Sequence, residues 1–241
     1  MVSSEETGVT RAEPQVVALS LSLEKLRLFL QYFVAGLSLL GLWAEIGFDL
    51  FDRTDPWDIV KFASLSWEAN LPTWAASALL LAAAFAILLI GTKAKHNEDP
   101  WYRYWYAMAF IFLYISLDET AQIHENLGHL LTTGTGLFYY DWVIPASAIL
   151  IILGLVYWPF LVSLEVSTRN RFILAAALYI GGALLMELPL GLWVSEQGSS
   201  NLGYGLIDWA EETLELIGIS VFLHALISEL FRNSQVTIRL E

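Results

Sequence analysis

The chain has 241 residues and a mass of 27.0 kDa, with 56% hydrophobic residues, 15% charged residues and a mean hydropathy of +0.57. A soluble domain carries roughly 25% charge and a disordered chain is poor in apolar residues, so neither class fits. The absence of cysteine removes disulfides, thiolate metal sites, thiol nucleophiles and iron–sulfur ligation, and the net charge of −13 lacks the basic footprint that nucleic-acid binding needs.

Residues 1–20 read as a mobile polar tail. Glu5, Glu6 and Glu13, with no basic run ahead of an apolar stretch, do not make a cleavable signal peptide. Residues 21–241 read as one transmembrane domain. About 20 mostly apolar residues cross a bilayer as a helix, and six such stretches run over 27–48, 73–92, 101–118, 142–163, 172–194 and 211–231. The predicted fold is therefore all-α, a polytopic integral membrane bundle of six transmembrane helices.

In chain order, the loop over about 49–72 sets Asp49, Asp52, Asp55 and Asp58 among Trp57, Phe62 and Trp67, a composition that suits the membrane interface. Pro72 falls where a first helical turn tolerates it. Small residues in span two (Ala75, Ala76, Ser77, Ala82, Ala83 and Ala84) predict close helix packing. His96 belongs to a solvated loop, and Trp101, Tyr102, Tyr104, Trp105 and Tyr106 read as an inner aromatic belt. Span three is expected to run on past Ser116, so that Asp118, Gln122, Glu125 and His129 share one helical face while Glu119 and His124 point elsewhere. In span five, Gly181-Gly182 predicts another close contact, and Pro189 predicts a kink just above Glu187 that frees carbonyls beside an acid. In span six, Asp208, Glu211, Glu212 and Glu215 form an i, i+3, i+4, i+7 stripe, and the deeper His224 reads as hydrogen-bonded to a neighbour.

Orientation follows the basic residues. Arg11, Lys25, Arg27, Lys93, Lys95, Arg103, Arg169, Arg171, Arg232 and Arg239 fall on one side of the six-span arrangement, and Arg53 and Lys61 on the other. Both termini are therefore expected in the cytoplasm, and the protein in a cytoplasmic-type (inner) cell membrane.

An acid at a helix centre costs about 2.5 to 3.5 kcal/mol even on a lenient scale. At a rise of 1.5 Å per residue, Glu45 lies roughly 27 Å above Arg27, Glu187 roughly 24 Å above Arg171, Asp118 roughly 22 Å above Arg103 and Glu215 roughly 25 Å above Arg232. Four helices thus carry an acid at one depth in the outer leaflet. Three readings compete. A divalent metal of unassigned identity would be held by Glu45, Asp118, Glu187, Glu211 and Glu215, completed by His124 or His129, with Glu119 or Glu125 as the catalytic general base of an enzyme acting on a lipid or apolar substrate. The chain has Glu125-x3-His129 in place of the Glu-x-x-His of di-iron bundles. A proton or cation pathway would use the same acids as a relay. The third reading makes Asp208, Glu211 and Glu212 helix-start residues favoured by the dipole, which leaves Glu45, Asp118 and Glu187 unexplained. A non-catalytic subunit of a larger photosynthetic or respiratory membrane complex is the alternative to an enzyme. The lipid bilayer is the partner expected in every case, with membrane-protein partners or a homo-oligomer beside it.

Trp67-Glu68-Ala69-Asn70-Leu71-Pro72-Thr73-Trp74, then Ser116-Leu117-Asp118-Glu119 with Ile123-His124-Glu125, and Glu211-Glu212-x2-Glu215 together resemble a family of uncharacterised bacterial multi-pass membrane proteins. The similarity covers most of the chain beyond the N-terminal tail. It implies the topology and no particular reaction.

Overall fold

The computed structural model describes residues 22–50, 59–123 and 134–232. The described residues are helical and contain no strand. In chain order they form α1 (Leu23–Leu50), α2 (Ile59–Ala63), α3 (Leu71–His96), α4 (Tyr102–Ala121), a single 3-10 turn at Gly136–Phe138, α5 (Val143–Ser163), α6 (Val166–Ile180), a π-helical segment (Gly181–Met186), α7 (Glu187–Gln197) and α8 (Leu202–Leu230). The expected tail over 1–20 lies outside the described residues, as do His124, Glu125 and His129.

Among the described residues, five stretches are long and apolar enough to cross a membrane: Leu23–Gly47, Leu71–His96, Val143–Ser163, Val166–Gln197 and Leu202–Leu230. The expected count of six is corrected to five on this criterion. The helix that falls short is α4, whose hydropathy is diluted by Tyr102, Tyr104, Trp105, Tyr106 and Tyr114 and by the charges of Arg103, Asp118 and Glu119. The chain is nonetheless a multi-pass helical bundle with a broad apolar exterior. Leu155, Ile151, Trp158 and Ile152 on α5 are all more than half exposed, as a lipid-facing helix requires.

The starts and stops have local causes. Asn70 caps α3 by accepting from the Thr73 N–H at 3.2 Å, and Pro72 sits in the first turn. The Asn70 amide also donates to the carbonyls of Lys61, Ser64 and Trp67, so one side chain ties α2, the connecting loop and α3 together. Asn201 does the same for α8, accepting from Tyr204 N–H at 3.0 Å and from the Trp193 indole at 2.9 Å. The expected continuous run of span three to His129 is interrupted at Gln122, and its part beyond Ile123 lies outside the described residues. Gln122 adopts a left-handed conformation (φ 53°) and donates its N–H to the Asp118 carbonyl at 2.7 Å, which ends α4.

Helix α8 is the axis of the bundle, touched by α1, α3, α6 and α7. Its contact with α6 depends on Gly218, where a Cβ would come within 2.7 Å of the Tyr179 backbone nitrogen. Helices α3 and α4 run antiparallel along each other. Near one end the Ser77 hydroxyl donates to the Ser116 carbonyl at 2.8 Å and the Ser116 hydroxyl returns to the Ser77 carbonyl at 2.9 Å. Near the other, Gly91 admits Trp105 and Tyr106, whose atoms lie 3.0 Å from where a Cβ would be. Of the small residues expected to pack closely in span two, Ala75, Ala76, Ala83 and Ala84 are buried and Ala82 is exposed, while Gly91 and Gly218 make further close approaches where the bilayer supplies no hydrophobic drive.

The aromatic belt expected over 101–106 is partly core. Trp105 is 3% exposed and meets Phe160 edge-to-face at 4.9 Å, with Trp101 and Tyr104 also against Phe160. That end of the bundle gathers the start of α1, the end of α3, the α5–α6 turn and the end of α8. Lys93 donates to the carbonyls of Leu230 and Arg232, both at 3.1 Å, and Arg232 pairs with Glu165 and Glu229. Most of the described basic residues lie here, and the buried acids lie toward the opposite end.

Candidate functional site

The site is built on the first half of α8 and on the break between α6 and α7. Proline at 189 removes an N–H and crowds the preceding turn. The helix takes up this demand as a π segment over Gly181–Met186, a device found often at functional sites. The irregularity therefore lies below Glu187, whereas the sequence predicted a kink above it. Gly182 within the segment faces α8, where a Cβ would stand 2.6 Å from the Glu211 carbonyl and 2.8 Å from Glu215 Cγ. Gly181, its neighbour, has nothing within 4 Å.

This approach brings the π segment onto the acid stripe. Glu187 and Glu211 are 8% and 6% exposed. Glu187, Asp208 and Glu215 all lie within electrostatic reach of Glu211. Glu119 of α4 reaches Glu212 and Glu215. The Trp142 indole donates to Glu187 at 3.2 Å, and the Tyr179 hydroxyl donates to Glu215. Glu211 Oε2 is buried with no hydrogen-bond partner among the described residues. Above them, the Tyr204 hydroxyl donates to Tyr140. Burial pushes the Tyr140 phenol up, the Tyr204 hydrogen bond works against this, and the nearby Glu187, Asp208 and Glu211 add to the rise. Tyr140 is thus a neutral hydroxyl beside the acids.

The predicted site residues divide. Glu187, Glu211 and Glu215 come together on α7 and α8. Glu119, predicted to point away as a base, reaches Glu215. Asp118 acts on Tyr114, one turn earlier on its own helix. Glu45 sits 5% exposed in a separate clamp, accepting from the Ser64 hydroxyl and, at 3.5 Å, from the Ser66 N–H, with Gly205 of α8 against its other oxygen. His124, Glu125 and His129 lie outside the described residues. Among the described residues no group of three or more His, Asp or Glu is arranged to hold a metal ion.

Sequence reading missed Tyr140, Trp142, Tyr179 and Tyr204, the uncharged donors around the acids. Aromatic residues are common in membrane segments, so their O–H and N–H groups gave no separate signal. His224 is hydrogen-bonded through its ring to the Leu23 backbone, as predicted.

No curated protein matches the chain, and no solved structure does. Residues 25–230 match the model of a family described as Domain of unknown function (DUF8692), a span that takes in every long helix described above. The chain belongs to this family.

Proposed function

We propose that the protein is an integral membrane protein that holds protons on a buried acidic site in the outer half of its bundle, with both termini cytoplasmic. Glu211 carries the proposal. Its carboxylate is buried, one oxygen has no donor among the described residues, and the groups that act on its charge are the carboxylates of Glu187, Asp208 and Glu215. Several carboxylates sharing a low-dielectric site cannot all stay ionised unaided. An ionised carboxylate seeks donors on both oxygens, whereas a protonated acid supplies its own. Tyr179 and Trp142 supply donors to the neighbouring acids, so the group needs protons rather than a basic residue to close its charge balance.

A second reading has one observation in its favour. Glu119 lies beside Glu212 and Glu215, and the chain beyond it leads within a few residues to His124, Glu125 and His129. Those side chains would complete a divalent metal site with Glu187, Glu211 and Glu215, and Glu119 or Glu125 would then serve as general base toward a lipid or apolar substrate. Metal analysis of protein purified without chelator, with melting curves before and after chelation, tests the two against each other. Proton loading is expected to give substoichiometric metal and no change in the melting temperature. Stoichiometric metal whose removal lowers the melting temperature would replace the proton reading by the metal one.

The proposed topology has α4 crossing beside α3, because the serine pairs and Gly91 hold the two together over most of their length. Reporter fusions within 134–141 and within 198–201 are expected outside, and one at 241 inside. A reporter at 134–141 on the cytoplasmic side would show that α4 does not cross.

A further inference from the structure

We infer that a cavity at the basic end of the bundle, bounded by α1, α6 and α8, binds the anionic phosphate of a membrane lipid headgroup. The cavity measures about 280 Å³ and is lined by Arg27, Gln31, Arg171, Ser220 and His224, with Leu30 and Val221 as its apolar wall. It falls just below the roughly 300–1,000 Å³ range of ligand pockets, which suits a headgroup rather than a whole lipid.

The charge pattern is unusual for this chain. Acidic residues outnumber basic ones by 25 to 12, yet among the described residues two basic side chains line this cavity and no acid does. Arg27 has an ion-pair partner, Glu24 at 2.6 Å on the exposed side of α1. Arg171 has no ion pair among the described residues. His224 lies within electrostatic reach of both arginines and of Glu24, and its ring is oriented by the hydrogen bond to Leu23. With His224 neutral, Arg27, Arg171 and Glu24 leave one net positive charge. One phosphodiester monoanion balances it.

The donor set fits the same ligand. Guanidinium forks match phosphate oxygens two at a time, and the Gln31 amide adds a neutral donor, while the Ser220 hydroxyl is spent on the Ile217 carbonyl at 2.9 Å. Position selects the lipid over free phosphate. Arg27 is in the second turn of α1, Arg171 in the second turn of α6, and His224 near the end of α8. Arg27 and Arg171 stand about one turn inside the ends of their spans, from where their long side chains can reach the phosphate level of the leaflet. Basic pockets between spanning helices at that level bind anionic headgroups. Leu30 and Val221 give the glycerol and upper acyl carbons an apolar wall.

The test uses the full-length protein in detergent, titrated with phosphatidylglycerol or phosphatidylcholine and read by native mass spectrometry as the number of lipids retained. The wild type is expected to retain phosphatidylglycerol about tenfold better. Arg27→Gln and Arg171→Gln are each expected to weaken that preference about fivefold, from roughly 1 kcal/mol per basic residue near the surface, and the double substitution is expected to abolish it. Lys95→Gln is the control, an exposed cation at the same end and outside the cavity. It is expected to leave the preference unchanged. All of these side chains are exposed, and unchanged elution and helix content establish that each variant is folded. Equal retention of the two lipids by the wild type overturns the inference, and so does a loss in Lys95→Gln as large as in Arg171→Gln. Binding of inorganic phosphate without any lipid preference overturns the lipid as the source.

Discussion

Glu211→Gln is expected to leave the melting temperature unchanged or raise it by a few degrees. The amide reproduces the shape and hydrogen-bonding capacity of a protonated acid. It is neutral at every pH, so no proton has to be taken up at this position to relieve Glu187, Asp208 and Glu215, which all reach Glu211. A gain of about 1 kcal/mol corresponds to roughly 2–4 °C for a chain of this size. Were a metal holding these acids together, the same substitution would delete a ligand and leave the remaining carboxylates uncompensated, at a cost of several kcal/mol. The two cases differ in sign, so one melting curve in detergent, repeated with chelator, separates them. Glu187→Gln is the companion. Its amide can still accept from Trp142, so it too should be tolerated. A fall of 10 °C or more in either variant, reproduced in the wild type by chelation, overturns the proton reading.

Gly182→Ala is expected to cost stability on the scale of overpacking, about 1–3 kcal/mol or more, while Gly181→Ala next to it costs almost nothing. A Cβ at 182 would come 2.6 Å from the Glu211 carbonyl and 3.2 Å from the Glu215 N–H, and neither backbone can move without displacing α8. At 181 there is only open space. Gly218→Ala should behave like Gly182→Ala, since its Cβ would meet Tyr179 N at 2.7 Å and the Ala175 carbonyl at 3.0 Å. Thermal melts of the three variants followed by tryptophan fluorescence check the ranking. Equal melting temperatures for Gly181→Ala and Gly182→Ala would show that the π segment does not press on the acid stripe.

Long-range architecture was legible because apolar runs and charge placement are strong signals. The bounds of α3, α4 and α5 lie within about four residues of the predicted spans, and Pro72 falls in the first turn of α3 as expected, whereas α8 begins at Leu202, nine residues before the predicted start, which puts Asp208, Glu211 and Glu212 beyond its first turn. The Gly181-Gly182 pair was read as a contact, but only Gly182 makes one, since a dipeptide does not reveal which of its members faces a neighbour. The acid stripe on α8 was legible from its spacing. Its partners were not fully so. Equal depth grouped Glu45 and Asp118 with Glu187 and Glu215, yet depth says nothing about the direction around a helix, and Glu45 turns toward Ser64 while Glu119 turns toward Glu215. The stop at Gln122 was illegible because a left-handed residue other than glycine leaves no mark in composition. Trp105 looked like a belt residue for a similar reason, as the same ring serves an interface or a core according to what Phe160 and Phe172 bring against it.

The π segment changes the angular arithmetic of the helix that contains it. Successive α-helical residues are about 100° apart, so Tyr179 and Glu187, eight positions apart, would ordinarily point roughly 80° away from each other. A π turn acts as one extra residue wound into the helix, which brings that difference to roughly 20°. Tyr179 and Glu187 are thereby set on one side, where Tyr179 meets Glu215 and Glu187 reaches Glu211. Regular winding over the same eight positions would carry Glu187 roughly 80° around the axis and part the two. The alignment of the phenol with the carboxylate is therefore a matter of phase, set by a single surplus residue.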